Sequence, residues 1–195
     1  MTQSEQFLLE AFAGESQANR RYLAFAKQAE EEGYHQVAKL FRAVAEAETV
    51  HALAHLRALK GVKSTAENLR EAISGETHEF KIMYPAMVGT AILEGNKEAE
   101  RSFKYANEVE KVHAELFERA LANLDKQVEA DYCVCSVCGN TCENEHPENC
   151  QVCGNRAEQF FMVGGASGKI PKGKGKVPGG QNSPPDRGRG GSVLP

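Results

Sequence analysis

The tetrapeptide Glu-x-x-His recurs in repeat register, as "ETVH" at 48–51 and "EKVH" at 110–113. When residues 22–51 are laid on 84–113, ten of thirty positions match without a gap. Tyr22/Tyr84, Gly33/Gly95, Phe41/Phe103, Glu48/Glu110 and His51/His113 are among them. Each copy reads as a helix, a glycine stop and a second helix, so the repeated unit is a helical hairpin. A hairpin of this kind must bury its apolar face. Two of them about a pseudo-twofold axis make a four-helix bundle.

The periodicity predicts four long helices. The first runs from about Ser4 to Glu32, opened by a Thr2/Glu5 capping box and closed by Gly33. The second spans about His35 to Lys60 and stops at Gly61. The third spans about Gly75 to Glu94, with a kink expected at Pro85, and the fourth about Lys97 to Lys126. Ala66 to Ser74 reads as a separate short helix. The expected organisation is a helical bundle over 1–130, a cysteine-bearing module over 131–163, and a basic Gly/Pro-rich tail over 164–195 that cannot bury a core and is expected to be disordered.

Each helix carries a seam at steps of three and four, and the seams are apolar except near one level. Glu15 interrupts the first, Glu48 and His51 the second, Glu76 and Glu79 the third, and Glu110 and His113 the fourth. Counted from their hairpin turns, these residues fall within a few ångströms of one height at ~1.5 Å per residue. An unpaired buried carboxylate costs several kcal/mol even after relaxation. Five together require cations, and an oxygen-rich donor set with some imidazole suits iron or manganese. A lone Glu-x-x-His is ordinarily a solvated helix face, as Glu32–His35 and Glu143–His146 illustrate. Register, seam and level together make the difference. His55 and His78 lack matched partners and read as structural or surface residues. Tyr22 and Tyr84 read either as core or as hydrogen-bond partners of the nearby carboxylates.

The cysteines Cys135, Cys138, Cys150 and Cys153 form C-x2-C, eleven residues, C-x2-C, with a Gly after each pair. That is a four-thiolate site for one iron or one zinc. Some thirty residues cannot hold a fold by burial alone, so the metal is the main staple, with Tyr132, Phe160 and Phe161 as the expected apolar cluster. Cys133 and Cys142 fall outside the pattern and read as spare thiols. No stretch is long and apolar enough to span a membrane, and "MTQSEQFLLE" has neither the basic nor the apolar region of a signal peptide. The expected location is therefore cytoplasmic, where cysteines bind metals more often than they form disulfides. The acidic body, set against a basic tail, does not attract nucleic acid unaided.

With "GESQANRRY" (14–22), "EAETVH" (46–51), "TAENLREAISGETHEFKIMYP" (65–85), "EVEKVH" (108–113) and the cysteine block in view, the chain resembles the rubrerythrins. The resemblance implies a mainly α protein: a ferritin-like four-helix bundle with a diiron site, then a small rubredoxin-like domain holding one iron as FeS4. It implies that Glu48 and Glu76 bridge the irons, with Glu15 terminal on one and Glu110 and His113 on the other. His51 and Glu79 would exchange on the first iron as its oxidation state changes. Implied catalytic residues are then His51, Glu79, Tyr22 and Tyr84. The implied activity is reduction of hydrogen peroxide to water, with electrons passed through the rubredoxin-like iron. They would come from NAD(P)H by way of a separate reductase or a rubredoxin. If the fourth helix ran on straight, His113 and Cys135 would lie ~33 Å apart; a head-to-tail homodimer, the family precedent, would close that gap. The alternatives are an iron-binding ferroxidase and a structural zinc-ribbon interaction protein.

Overall fold

The structure is a computed structural model and describes residues 1–126 and 128–163. The tail from 164 onward lies outside the described residues, and so does the expectation of disorder there.

The fold is mainly α, with the ferritin-like set of helices followed by a small sheet. Helix α1 spans Gln3–Glu31 and α2 spans His35–Ala58. Helix α3 spans Thr65–His78, α4 spans Tyr84–Leu93 and α5 spans Lys97–Ala122. The expected box opens α1: Thr2 Oγ1 accepts from the Glu5 amide, and the Glu5 carboxylate accepts from the Thr2 amide at 2.7 Å. The two hairpin turns are built alike. Gly33 and Gly95 take φ of 84° and 69°, and the following amides, Tyr34 and Asn96, reach back to the carbonyls of Ala29 and Ala91.

Ala66–Ser74 is not a separate helix. Ser64 and Glu67 form a second capping box, and α3 then runs unbroken to His78. Pro85 does interrupt the α-helical run of the third segment, as expected, but one turn upstream of itself. The proline ring crowds the carbonyl four residues back and offers no amide. The helix responds one turn earlier by widening into a π-helical turn over Glu79–Met83, where the Tyr84 amide bonds to Glu79.

Within the chain α1 packs on α2, while α3, the π turn and α4 pack on α5. The first pair makes at most marginal contact with the second. Accordingly, the buried residues of the helical part are small: Ala18, Ala26, Ala29, Ala38, Ala45, Ala52, Ala91, Val109 and Ala114.

Strands β1 (Tyr132–Cys135), β2 (Thr141–Glu143) and β3 (Phe160–Val163) form an antiparallel sheet in the order β2-β1-β3. The expected aromatic cluster is absent among the described residues. Tyr132 and Phe161 are exposed, and Phe160 stacks on His146 with centroids 5.8 Å apart. Buried Cys133, Cys135, Cys150 and Asn140 fill the module instead. Cys133 and Cys142 are not spare thiols; they face each other across β1 and β2 and form a disulfide.

Candidate metal centres

Two clusters of three ligands form at one level of the helices, one on each hairpin. On α1 and α2, Glu15, Glu48 and His51 bring a ligand atom each within 4.8 Å of one another. His51 Nδ1 lies 3.0 Å from Glu48 Oε2. Asn19, one turn along from Glu15, fixes this pair of helices. Its Nδ2 donates to the Ala45 carbonyl at 2.7 Å and to Thr49 Oγ1 at 2.9 Å. Its place on the polar stretch of the seam is the signal for such a role, but an asparagine names no partner in sequence.

On α3 and α5, Glu76, Glu110 and His113 repeat the arrangement. His113 Nδ1 lies 2.7 Å from Glu110 Oε2. Burial, a hydrogen bond with Glu110 and the charges of Glu110 and Glu79 push the Glu76 carboxyl up to about 7. Glu79, in the π turn, stands just outside the cluster. Burial and the Glu110 charge raise its carboxyl too, against the pull of His78 and His113. Tyr84 belongs to this neighbourhood: burial, then the carboxylates of Glu110, Glu79 and Glu76, raise its phenol and keep it protonated. Tyr22 instead joins an aromatic cluster, 6.1 Å from Phe41 and 6.3 Å from Phe25 between centroids.

The donor sets fit metal ions. Carboxylates crowded until one holds a proton near neutral pH gain most from a cation in their midst. His113 Nδ1 and Glu110 Oε2, 2.7 Å apart, stand at hydrogen-bond distance, and opening by about 0.3–0.7 Å would give the ~3.0–3.4 Å between two ligands each ~2.1 Å from a shared ion.

The cysteine site is built from two matched knuckles. Gly139 and Gly154, at φ 85° and 72°, return their amides to the carbonyls of Cys135 and Cys150 at 2.9 Å. The sulfurs of Cys135 and Cys153 are 3.7 Å apart, and those of Cys138 and Cys150 are 3.6 Å apart. The edge of an MS4 tetrahedron with ~2.3 Å bonds is about 3.8 Å. Burial raises the Cys153 thiol, but hydrogen bonds from the Asn155 side chain and backbone outweigh it and bring Cys153 down to about 7.

The module does not extend beyond α5; it folds back on it. His113 Nε2 lies 3.0 Å from Thr141 Oγ1, at the start of β2 and directly after the first knuckle. That hydroxyl donates its own proton to the Gly139 carbonyl at 3.2 Å, so it accepts from His113. With a metal in place, an Nε2–H directed at Thr141 would leave Nδ1 as the ligand; in the metal-free fold Nδ1 faces Glu110 Oε2 at 2.7 Å. The ~33 Å separation of a straight helix therefore does not arise, and neither does the distance argument for a head-to-tail pairing. Thr141 carries no site signal in the sequence, since only the fold-back brings it to the imidazole.

The rubrerythrin family model matches residues 6–121. The chain belongs to the rubrerythrin family. Among its relatives, rubrerythrin-2 of Clostridium acetobutylicum is 40% identical over 172 residues, covering 79% of this chain and 93% of that one. Nigerythrin of Nitratidesulfovibrio vulgaris is 35% identical over 164 residues, covering 77% and 81%. A solved nigerythrin in its fully reduced, all-ferrous state matches with a TM-score of 0.51 at 32% identity, over 84% of this chain and 88% of that one. As a rubrerythrin, the protein is a diiron oxidoreductase of the oxidative-stress class, with a Glu/His dimetal site and a rubredoxin-like iron in the four-cysteine cluster. No helix among the described residues is long and apolar enough to cross a membrane.

Proposed function

We propose that this rubrerythrin is a peroxidase. Hydrogen peroxide, two protons and two electrons give two waters, with the electrons arriving one at a time through the iron of Cys135, Cys138, Cys150 and Cys153. The observation that carries the reading is the 3.0 Å hydrogen bond from His113 to Thr141, a direct link between a dimetal ligand and the cysteine module.

In this reading Glu15, Glu48, His51, Glu76, Glu110 and His113 would hold the metal pair, and Glu79 in the π turn would be the alternative ligand to His51. A bound ferrous pair supplies Lewis acidity and two electrons to the O–O bond. Tyr84 holds a phenolic proton among three carboxylates and can donate it as a hydrogen bond. Glu76 carries a raised carboxyl only in the metal-free fold, and as a ligand it would give that proton up to the metal pair. Tyr22 packs against Phe25 and Phe41 on the first hairpin. The functional units are 1–130 for peroxide reduction and 131–163 for electron entry, with 164–195 as an appended tail. A reductase linked to NAD(P)H, or a rubredoxin, supplies the electrons; the protein works in the cytoplasm as a homodimer.

The test is an anaerobic titration. The reduced protein receives substoichiometric peroxide while the FeS4 absorption is followed. Prompt reoxidation, lost in Cys135→Ser and slowed in Glu79→Ala, is expected. A reduced protein whose FeS4 spectrum ignores peroxide refutes the reading, and zinc in the cysteine site favours the interaction role instead.

A further inference from the structure

Each hairpin gathers only half of a dimetal site, and within one chain the halves do not meet. Glu15, Glu48 and His51 sit on α1 and α2; Glu76, Glu110 and His113 sit on α3 and α5; and the two pairs of helices do not pack on each other. The connection explains why. Residues 59–64 alone join Ala58 to Thr65. Fully extended, they span about 23–25 Å. Ferritin-like bundles need one long crossover, because the chain must travel back along the bundle before its third helix begins. The 24 residues of α2 make that journey about 36 Å. A tight antiparallel return is the other way to close a bundle, but it would stack α3 on α2, and α3 does not pack there.

Both hairpins leave apolar faces uncovered. Phe25, Val37 and Leu40 are exposed on the first, where Phe25, Val37 and Phe41 line an open groove of about 440 Å³. Ile82, Met87 and Ile92 are exposed on the second. No large side chain of the helical part is fully buried among the described residues. Faces of this extent mark an interface. His51 is turned outward with 57% of its side chain exposed, although its counterpart His113 is held under Thr141.

We propose that the occupant of each face is a second copy of this chain: α1–α2 of one protomer packs on α3–α5 of its partner, twice, about one twofold axis. Each dimer then contains two complete centres, and every centre takes three ligands from each chain. Repeat symmetry makes the faces complementary, since each offers two carboxylates and one imidazole at the same level. The exchanging residues His51 and Glu79 then come from different chains, while the cysteine module serves the centre to which its own His113 belongs. The inference rests on the homodimer of the proposed function and specifies how it is assembled; it does not require peroxidase activity.

Complementation tests it. One chain carries Glu48→Ala and His51→Ala, the other Glu110→Ala and His113→Ala, with different affinity tags so that mixed dimers can be isolated after co-expression. If centres are shared, a mixed dimer has one centre with both halves intact and one with both broken. Mössbauer-detected coupled iron then returns to about half the wild-type amount, while each parent dimer has essentially none. If each centre lies within one chain, mixed dimers show no more coupled iron than the parents, and the inference is overturned. A wild-type protein that sediments as a monomer with a complete coupled pair overturns it as well. Should either alanine variant lose its helical signal, His51→Gln against His113→Gln makes the same comparison. Coupled iron restored without peroxide consumption would sink the peroxidase reading and leave the shared centre standing.

Discussion

Replacing Thr141 by Val isolates the link between the helices and the cysteine module. Valine keeps the β-branched shape and removes the hydroxyl, so His113 Nε2–H loses its acceptor, 3.0 Å away in the native protein. A buried donor left without a partner costs about 1–3 kcal/mol. The His113 side chain is 25% exposed, so water recovers about a quarter of this, and about 0.8–2.3 kcal/mol remains. Loss of a partner that orients a metal-bound imidazole costs 10–100-fold in metal affinity or activity, which is about 1.4–2.7 kcal/mol. The two ranges overlap. Thr141→Val should therefore bind ferrous iron at the dimetal site roughly 10–50-fold more weakly in competition with a chelator, and Thr141→Ser should recover most of the loss. The FeS4 spectrum serves as the control that the knuckle is intact. If Thr141→Val binds the pair as tightly as the native protein and reoxidises its FeS4 iron at the native rate, the hydrogen bond does not orient the ligand, and the coupling through it fails.

Three other outcomes follow from the structure. The Glu76 carboxyl is raised to about 7 in the metal-free fold by burial and by Glu110, against the ordinary 4.5. The folded state thus binds a proton that the unfolded state releases, and metal-free protein should lose stability as pH rises from about 4.5 to 7, read as a falling Tm in chelator; a Tm that rises over that window contradicts the crowding of carboxylates. Asn19→Ala removes two hydrogen bonds between α1 and α2 and should cost about 1–2 kcal/mol in thermal unfolding of the metal-free protein, whereas a loss below ~0.5 kcal/mol would mean that asparagine does not hold the pair. Cys133→Ser with Cys142→Ser opens the loop that their disulfide closes, with a sequence separation of 9. A loop of this size is worth about 2–3 kcal/mol, so the cysteine site should lose its metal to a chelator markedly faster, and an unchanged rate would assign the module's stability to the metal alone.

Residues that interrupt a strong pattern are legible in the amino-acid sequence. Glu15, Glu48, His51, Glu76, Glu110 and His113 break apolar seams at one level, and the structure gathers them three by three. The four knuckle cysteines stand out by their spacing, which fixes the geometry of the turns. Gly33 and Gly95 mark their turns because the chain there needs positive φ after a helix. What the sequence hides depends on non-local contact. The Pro85 ring is accommodated by a π turn that places Glu79, and local propensity predicts a kink equally well. The Cys133–Cys142 pairing follows from strand register, which a three-residue β2 scarcely encodes. The fold-back onto His113 depends on the turn after α5, where the segment has no strong pattern. The Ser64/Glu67 box is readable in principle, and with it the continuity of α3 and the shortness of the preceding connector; it lies outside the matched repeat, which offers no second copy to expose it.

The alanines between α1 and α2 set a mechanical tolerance. Ala18, Ala26, Ala29, Ala38, Ala45 and Ala52 let two backbones approach toward the low end of the 8–10 Å range for packed helices, close enough for short acidic side chains to grip one ion. Two or three carbons added there, as in Ala45→Val or Ala45→Leu, would wedge the rods apart by a fraction of an ångström. Coordination bonds respond steeply to such a shift, while the exposed outer faces barely register it. Iron affinity is thus a finer calliper of this seam than melting temperature, and drift along the alanine row would be felt first as leaking metal.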